Sequence, residues 1–389
     1  MIASLRRAAL VGLSACALIA AGCGSRPSQT SATSRPSQAA AATSPLATSL
    51  TEADRAWAVV VMGGSASQEN DFWQLFALPR GSSLWSLATP PAVADNGGLV
   101  AAADAGSDGR LAVAFRPSQD LTFSPLASTT GNALAWTPGL LDASIAAVPD
   151  ALASRGPTML ALLTDGAIDQ SATSGATWTT LASPDAIASS PAGARCQATA
   201  LTAVSLTASG TPLAAAACAR AGSSGIFAYS RAGWQAAGPA ISGPLTSQPT
   251  RVLRLTSTSA GNTAVLAAGT GRQARLYAAW TAAGSRWSLS PAFPVGGAQV
   301  RASGTGAGGL AWVMLSDGHA LTISGPGGSW RVLPALPAGT AALAGLPGGR
   351  IDALAVAGGK LTVYRLASPR AIWAKTQVIK VPIQYGSSS

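Results

Sequence analysis

Acid–base chemistry has few candidates in this chain: one histidine, His319, and two glutamates, Glu52 and Glu69, at the start of what reads as the folded domain. No Asp or Glu occurs between Asp185 and Asp317. General acid–base catalysis needs a titratable group within hydrogen-bond reach of the moving proton, and that long stretch supplies neither a carboxylate nor a histidine. The remaining aspartates mostly stand in turn contexts such as Asp108-Gly109, where a carboxylate serves backbone N–H groups. There is no G-x-S-x-G elbow with a histidine to partner it, and no P-loop, dinucleotide-binding glycine fingerprint or calcium loop. The run GTGAGG (Gly304 to Gly309) lacks the Lys-Ser/Thr and the helix pattern of a phosphate loop, so it reads as a strand connection. His319 follows a hairpin Asp-Gly, and two thiols alone do not make a zinc site. No catalytic residue, cofactor or metal is expected.

The thiols point to covalent structure instead. Of four cysteines, Cys196 and Cys218 lie on the two strands that flank ASGTP (Ala208 to Pro212). Counting outward from that turn brings them opposite each other to within a residue or two, so a cross-strand disulfide is expected, as suits an exported protein. The uncharged run from Cys196 to Ala219 reads as two strands and a turn rather than a membrane span.

Export is written into the first residues. Arg6 and Arg7 precede an uncharged apolar run from Ala8 to Ala21, too short to span comfortably, and Ala20-Ala21-Gly22-Cys23 follows. A basic start, a short apolar segment and small residues before a cut site read as a secretory signal. The small-small-Cys ending resembles the lipobox of bacterial lipoprotein signals, which implies a signal peptide over 1–22 and diacylation of Cys23. The family usually has Leu where this chain has Ala20, with Leu18 and Ile19 just upstream. From Gly24 to Leu50 the chain is Ser, Thr, Ala, Pro and Gln with two arginines and no aromatic residue. Such a stretch cannot bury enough apolar surface to offset its ordering entropy, so residues 23–50 are expected to form a disordered tether.

Residues 51–389 carry the fold. Gly and Pro are plentiful (43 and 25) and charged residues make up 10% of the chain, the composition of short strands and tight turns. Tryptophans recur just after glycine-rich or turn-like segments at Trp85, Trp136, Trp178, Trp234, Trp287, Trp330 and Trp373, with spacings of 51, 42, 56, 53, 43 and 43 residues. Around Trp136 four short strands are expected: LVAAADA, RLAVAF, LTFSPLA and ALAWTP. Asp-Gly or Gly-Gly pairs at Asp108-Gly109, Asp165-Gly166, Asp317-Gly318 and Gly358-Gly359 suit two-residue hairpins between second and third strands. Four strands per unit of this length mark a propeller blade. The expected fold is therefore all-β, a β-propeller of seven four-stranded blades. Six or eight blades, or a pair of β-sandwiches, are the alternatives. Each Trp is expected to fill the wedge between neighbouring blades. In the first unit three strands are evident, and the fourth is expected from elsewhere, with the C-terminal TQVIKVPI as the candidate.

In QSATSGATWTTL, Ser171, Gly175, Thr177 and Trp178 match Ser-any-Asp-any-Gly-any-Thr-Trp, with Thr173 in the Asp place. This resembles the Asp-box of sialidase-like and photosystem-assembly-factor-like propellers, where the box stabilises the turn between third and fourth strands and lies away from the active centre. The resemblance implies a propeller and no activity. A sialidase-like mechanism would need an arginine cluster, a Tyr–Glu pair and an acidic general acid, and neither glutamate is placed to serve.

Charge is the remaining functional signal. Residues 51–185 hold five arginines against thirteen acids, a net of −8, whereas residues 186–389 hold thirteen arginines and three lysines against two acids, a net of +14. In a ring of blades, halves of the sequence become halves of the molecule. The basic half, with Arg251, Arg254, Arg272, Arg275 and Arg286 as its densest run, is expected to meet an anionic lipid, a phosphate-bearing wall polymer or an acidic envelope protein. Nucleic acid is not expected, since no aromatics interleave the cations. The expected protein is a lipoprotein anchored to the cell membrane on its extracytoplasmic face, with a non-catalytic propeller as a binding or scaffold module of the envelope. The alternative is a sialidase-like or other glycan-processing enzyme.

Overall fold

The computed structural model describes residues 55–62, 72–90, 99–104, 110–115, 124–129, 136, 143–220, 224–243, 245–282 and 286–381. The expected signal peptide, Cys23, the tether, both glutamates and Asp108-Gly109 lie outside them. No helix of the described residues is long and apolar enough to cross a membrane.

The described residues form short antiparallel strands that pair with their chain neighbours. The first sheet has three: β1 (Ala56–Met62), β2 (Phe72–Leu78) and β3 (Ser86–Leu87). Four-stranded sheets follow, β4 (Leu99–Asp104), β5 (Leu111–Phe115), β6 (Ser124–Thr129) and β7 (Ala143–Ile145), then β8 (Pro149–Arg155), β9 (Thr158–Leu163), β10 (Ile168–Ser171) and β11 (Thr179–Ala182). A short helix, α1 (Pro191–Cys196), leads into the next sheet. Its start is fixed by Pro191 and by Ser190, whose hydroxyl accepts the Gly193 N–H.

The next sheet has nine strands: β12 (Ala198–Leu206), β13 (Pro212–Cys218), β14 (Ile226–Ser230), β15 (Gly233–Ala236), β16 (Thr250–Thr258), β17 (Gly261–Ala268), β18 (Arg275–Ala282), β19 (Ser288–Leu289) and β20 (Phe293–Pro294). Two further four-stranded sheets complete the chain: β21 (Val300–Thr305), β22 (Ala311–Leu315), β23 (Ala320–Ile323) and β24 (Arg331–Val332), then β25 (Thr340–Gly345), β26 (Ile351–Ala357), β27 (Lys360–Leu366) and β28 (Ala374–Lys380).

Seven separate four-stranded blades are thus corrected to five separate sheets, one of them three-stranded, and one nine-stranded sheet. The nine-stranded sheet arises because β14 pairs only with Leu213 to Ala215 of β13. The free end of β13 then pairs with the start of β16, Ala217 opposite Arg251 and Cys218 opposite Thr250.

Buried clusters lie between successive sheets, and one more lies between the two halves of the nine-stranded sheet. One joins Trp57, Val59 and Leu75 to Val113 and Phe115 across the first two sheets. Another joins Val60, Phe76 and Trp85 of the first sheet to Leu354 and Val363 of the last. Each sheet therefore packs on the next and the last packs on the first, which closes a ring. Fully buried alanines such as Ala214, Ala215, Ala278 and Ala279 let the sheets approach closely.

The recurrent tryptophans fill the layers as expected: Trp136, Trp178, Trp234 and Trp330 each belong to the cluster between their own sheet and the preceding one, and Trp287 to the cluster between the two halves of the nine-stranded sheet. Several also donate their indole N–H to a carbonyl of the preceding unit, three or four residues past its own Trp: Trp136 to Ala88 (2.7 Å), Trp287 to Ala237 (2.6 Å) and Trp373 to Pro334 (3.3 Å).

Three local expectations are corrected, and a fourth, the strand ALAWTP, lies outside the described residues apart from Trp136; the strand paired with β6 at the edge of the second sheet is β7. The Asp165-Gly166 and Asp317-Gly318 hairpins are three-residue turns. Each Asp carboxylate accepts the N–H two residues on (Ala167, 2.8 Å; His319, 3.0 Å), and only the Gly takes positive φ (91° and 86°). Gly358-Gly359 does form the two-residue turn, both with positive φ. Cys196 ends α1 instead of lying on a strand, although Ala198, two residues on, does face Cys218. The C-terminal strand β28 pairs with β27 in the last sheet and leaves the first with three strands. Those three match the second to fourth strands of other units. The first strand of every other unit is bulged against its partner, whereas β1 pairs with β2 in unbroken register, and Trp85 precedes β3 as other tryptophans precede outer strands.

Candidate functional site

The predicted basic run separates on folding. Arg251 is the second residue of β16, Arg275 opens β18, and Arg272 lies in the turn Gly271–Gln273 between β17 and β18. Because Thr250 faces Ala268 and Ala268 faces Arg275, these three arginines share one end of the sheet. Arg286 precedes β19, at the opposite end of β18, roughly 25 Å away along an eight-residue strand. Arg254 sits inside β16, past a bulge, with its Nε shut off from solvent. Burial pushes its guanidinium down to about 10 and also lowers Arg251, yet both stay protonated at neutral pH. Arg272 is exposed, and Arg275 is turned back onto the carbonyls of Arg272 and Ala274. The structure thus gathers Arg251, Arg272 and Arg275 and leaves Arg254 and Arg286 apart.

The acids of the later sheets are engaged. Asp317 accepts the His319 N–H, which holds its carboxyl below the usual range, and its Oδ1 lies 3.2 Å from the exposed His319 Nδ1. This is turn chemistry. The turn between β10 and β11 works similarly without an acid. The Ser171 hydroxyl accepts the N–H groups of Thr173 and Gly175, and the Thr173 hydroxyl accepts the N–H of Thr177 at 2.9 Å, the bond an Asp carboxylate would take there.

Asp352, on β26, is completely buried. It stands opposite Arg365 on β27, which reaches it with two parallel bonds of 2.8 Å, Nε to Oδ1 and Nη2 to Oδ2. Hydrogen bonding to Asp352 raises the Arg365 guanidinium above its ordinary value. The carboxylate also accepts the indole N–H of Trp85 at 2.8 Å, across the closure between last and first sheets. Arg365 Nη2 donates to the Ser83 carbonyl, and the Gln377 side chain pairs with both the N–H (2.8 Å) and the C=O (2.7 Å) of Trp85. Trp136, Trp287 and Trp373 meet a backbone carbonyl, whereas Trp85 at the closure meets a charged pair.

Beside this lock is a cavity of about 340 Å³ bordered by Arg80, Ser82 and Ser83 from the β2–β3 connection, Pro347 and Arg350 from the β25–β26 connection, and Arg365. No carboxylate lines it. The sequence reading missed it, although one signal was available. Counting six residues outward from Gly358-Gly359 pairs Asp352 with Arg365, the one charge in the otherwise apolar strand IDALAVA.

No protein-family model matches the sequence, and no curated protein matches it at a significant level. Solved structures are similar in fold. The GH74 xyloglucanase from Xanthomonas campestris superposes with a TM-score of 0.54 at 14% identity, over 84% of this chain and 52% of that one. The Myceliophteria thermophila Cps50 (Swd1) β-propeller domain superposes with a TM-score of 0.50 at 12% identity, over 83% and 96% of the two chains. The fold is a β-propeller. At these identities the likeness extends to the architecture alone. This propeller spans about half the length of the xyloglucanase and nearly all of the Swd1 domain.

Proposed function

We propose that this protein is a lipoprotein of the cell envelope, anchored through Cys23 on the extracytoplasmic face, whose propeller is a non-catalytic module for an anionic partner. The observation that carries the binding role is the state of the carboxylates in the basic half. Sixteen cations there face two acids, one spent on a turn and the other on the closure lock. Most of that positive charge has no acid of its own half to neutralise it, and Arg251, Arg272 and Arg275 concentrate part of it at one sheet end. An anionic envelope polymer, a lipid surface or an acidic protein fits such a surface.

The test is binding of the full chain, held in mild detergent, to isolated envelope fractions across a salt titration. Binding is expected to fall steeply between low and physiological salt, and Arg272→Gln with Arg275→Gln is expected to weaken it. Adhesion that ignores both salt and this double change would refute the reading. The anchor has its own test: Cys23→Ala is expected to shift the protein from the membrane to the soluble fraction, and unchanged partition would refute lipidation.

A further inference from the structure

We infer that the cavity at the ring closure binds a phosphate monoester group, held by Arg80 and Arg350 with Arg365 as a fixed third donor. The site is separate from the Arg251, Arg272 and Arg275 end and goes beyond the envelope-binding reading.

Three observations carry it. The first is free donor capacity. Arg80 makes no hydrogen bond or ion pair among the described residues, and Arg350 uses only its Nε, on the Pro347 carbonyl at 3.0 Å. Arg365 spends Nε and Nη2 on Asp352 and Ser83, which leaves Nη1 without a partner among the described residues.

The second is charge. Asp352 neutralises Arg365, so Arg80 and Arg350 leave about two uncompensated positive charges on a cavity lined by no carboxylate. A phosphate monoester brings about −1.5 to −2 at neutral pH, against −1 for a carboxylate, and its oxygens match the planar guanidinium forks.

The third is preorganisation. The bidentate pair and the Ser83 bond hold Arg365 in place, and its side chain is only 17% exposed. The Gln377–Trp85 bonds fix the connection that bears Arg80 and Ser83 against the last sheet. At about 340 Å³ the cavity lies within the usual range for small-ligand sites. The phosphate arrives either on a small ester or at the end of an envelope polymer.

The experiment titrates glycerol 1-phosphate into the full chain in detergent at low salt by calorimetry, with acetate as the carboxylate control. In parallel, a purified phosphate-bearing wall polymer is tested by co-sedimentation. The double variant Arg80→Gln/Arg350→Gln changes two exposed side chains outside the closure lock, and its urea midpoint checks that it folds. Each lost guanidinium is expected to weaken the glycerol 1-phosphate complex at least ~10-fold, with acetate bound far more weakly than phosphate by the parent. If only the polymer binds, and the double variant loses it, the phosphate comes from the polymer. If the double variant binds both probes as the parent does, or acetate binds as tightly as the ester, the assignment is overturned. Phosphate binding lost in this variant while salt-sensitive envelope adhesion persists would keep the two surfaces distinct. Phosphate binding by a parent that never adheres to envelopes would sink the envelope reading alone.

Discussion

Arg365→Met is expected to cost about 3–5 kcal/mol of folding stability, the usual range when one partner of a buried ion pair is removed. The substitution leaves the Asp352 carboxylate with no exposed surface and only the Trp85 indole to solvate it. Asp352→Asn is expected to cost less, about 1–3 kcal/mol. The amide keeps an oxygen for the Trp85 N–H, and the released Arg365 can turn toward the cavity and water. The asymmetry is the informative part, because the carboxylate is sealed in while the guanidinium borders a cavity. Pairing Asp352→Leu with Arg365→Met is expected to recover stability relative to Arg365→Met alone, since no buried charge is then stranded. Urea unfolding midpoints of the full chain and the three variants measure this. Equal losses for Arg365→Met and Asp352→Asn would mean that water reaches the carboxylate, and that packing rather than the charged lock carries the closure.

Loss of the disulfide is expected to cost about 3 kcal/mol, from the loop-closure entropy of its 22-residue separation. The bond joins Cys196 at the end of α1 to Cys218 at the end of β13, with Cα atoms 5.2 Å apart. Its position adds a local effect. Cys218 also faces Thr250 in the short bridge that merges β13 and β16 into one sheet, and Gly225, with positive φ, passes so close that a Cβ there would lie 2.9 Å from the Cys218 sulfur. Cys196→Ala/Cys218→Ala is therefore expected to lower the thermal midpoint and to speed amide exchange around residues 217–218 and 250–251 more than in the other sheets. Two alkylatable thiols in the native parent protein would end this prediction at once. An unchanged exchange pattern in the variant would show that the bridge stands without the bond.

The two predictions differ in how far the sequence reaches. The cysteine pairing follows from counting along two strands from one turn, and the structure agrees to within two residues even though Cys196 ends a helix. The missed helix is a matter of six residues around Pro191, started by a serine cap, and strand periodicity nearby hides so short an element. The Asp-Gly dipeptides locate the hairpin turns and leave their length undecided. The Asp carboxylate's bond to the second following N–H favours a three-residue turn with a single positive φ, a choice that the dipeptide alone leaves open. The five predicted arginines were adjacent in sequence, but a strand carries its two ends to opposite ends of the sheet, so adjacency dispersed them.

What the sequence by itself determined is what local physics governs. Strand–turn alternation, tryptophans recurring at roughly blade length, the positions of the hairpin turns, the partner of Cys218 and the imbalance of charge between halves all depend on backbone preference, short separation or composition. Only the tertiary structure decided how the sheets join and where the chain meets itself: the bridge from β13 to β16, the three-stranded first sheet, and the lock in which Trp85 and Asp352 bond across 267 residues. The cavity belongs to the same class, since Arg80 and Arg350 come from the two ends of the domain. No local preference encodes such neighbours. They are set by the closing of the ring, which places the first and last sheets in one core and leaves their connecting loops side by side.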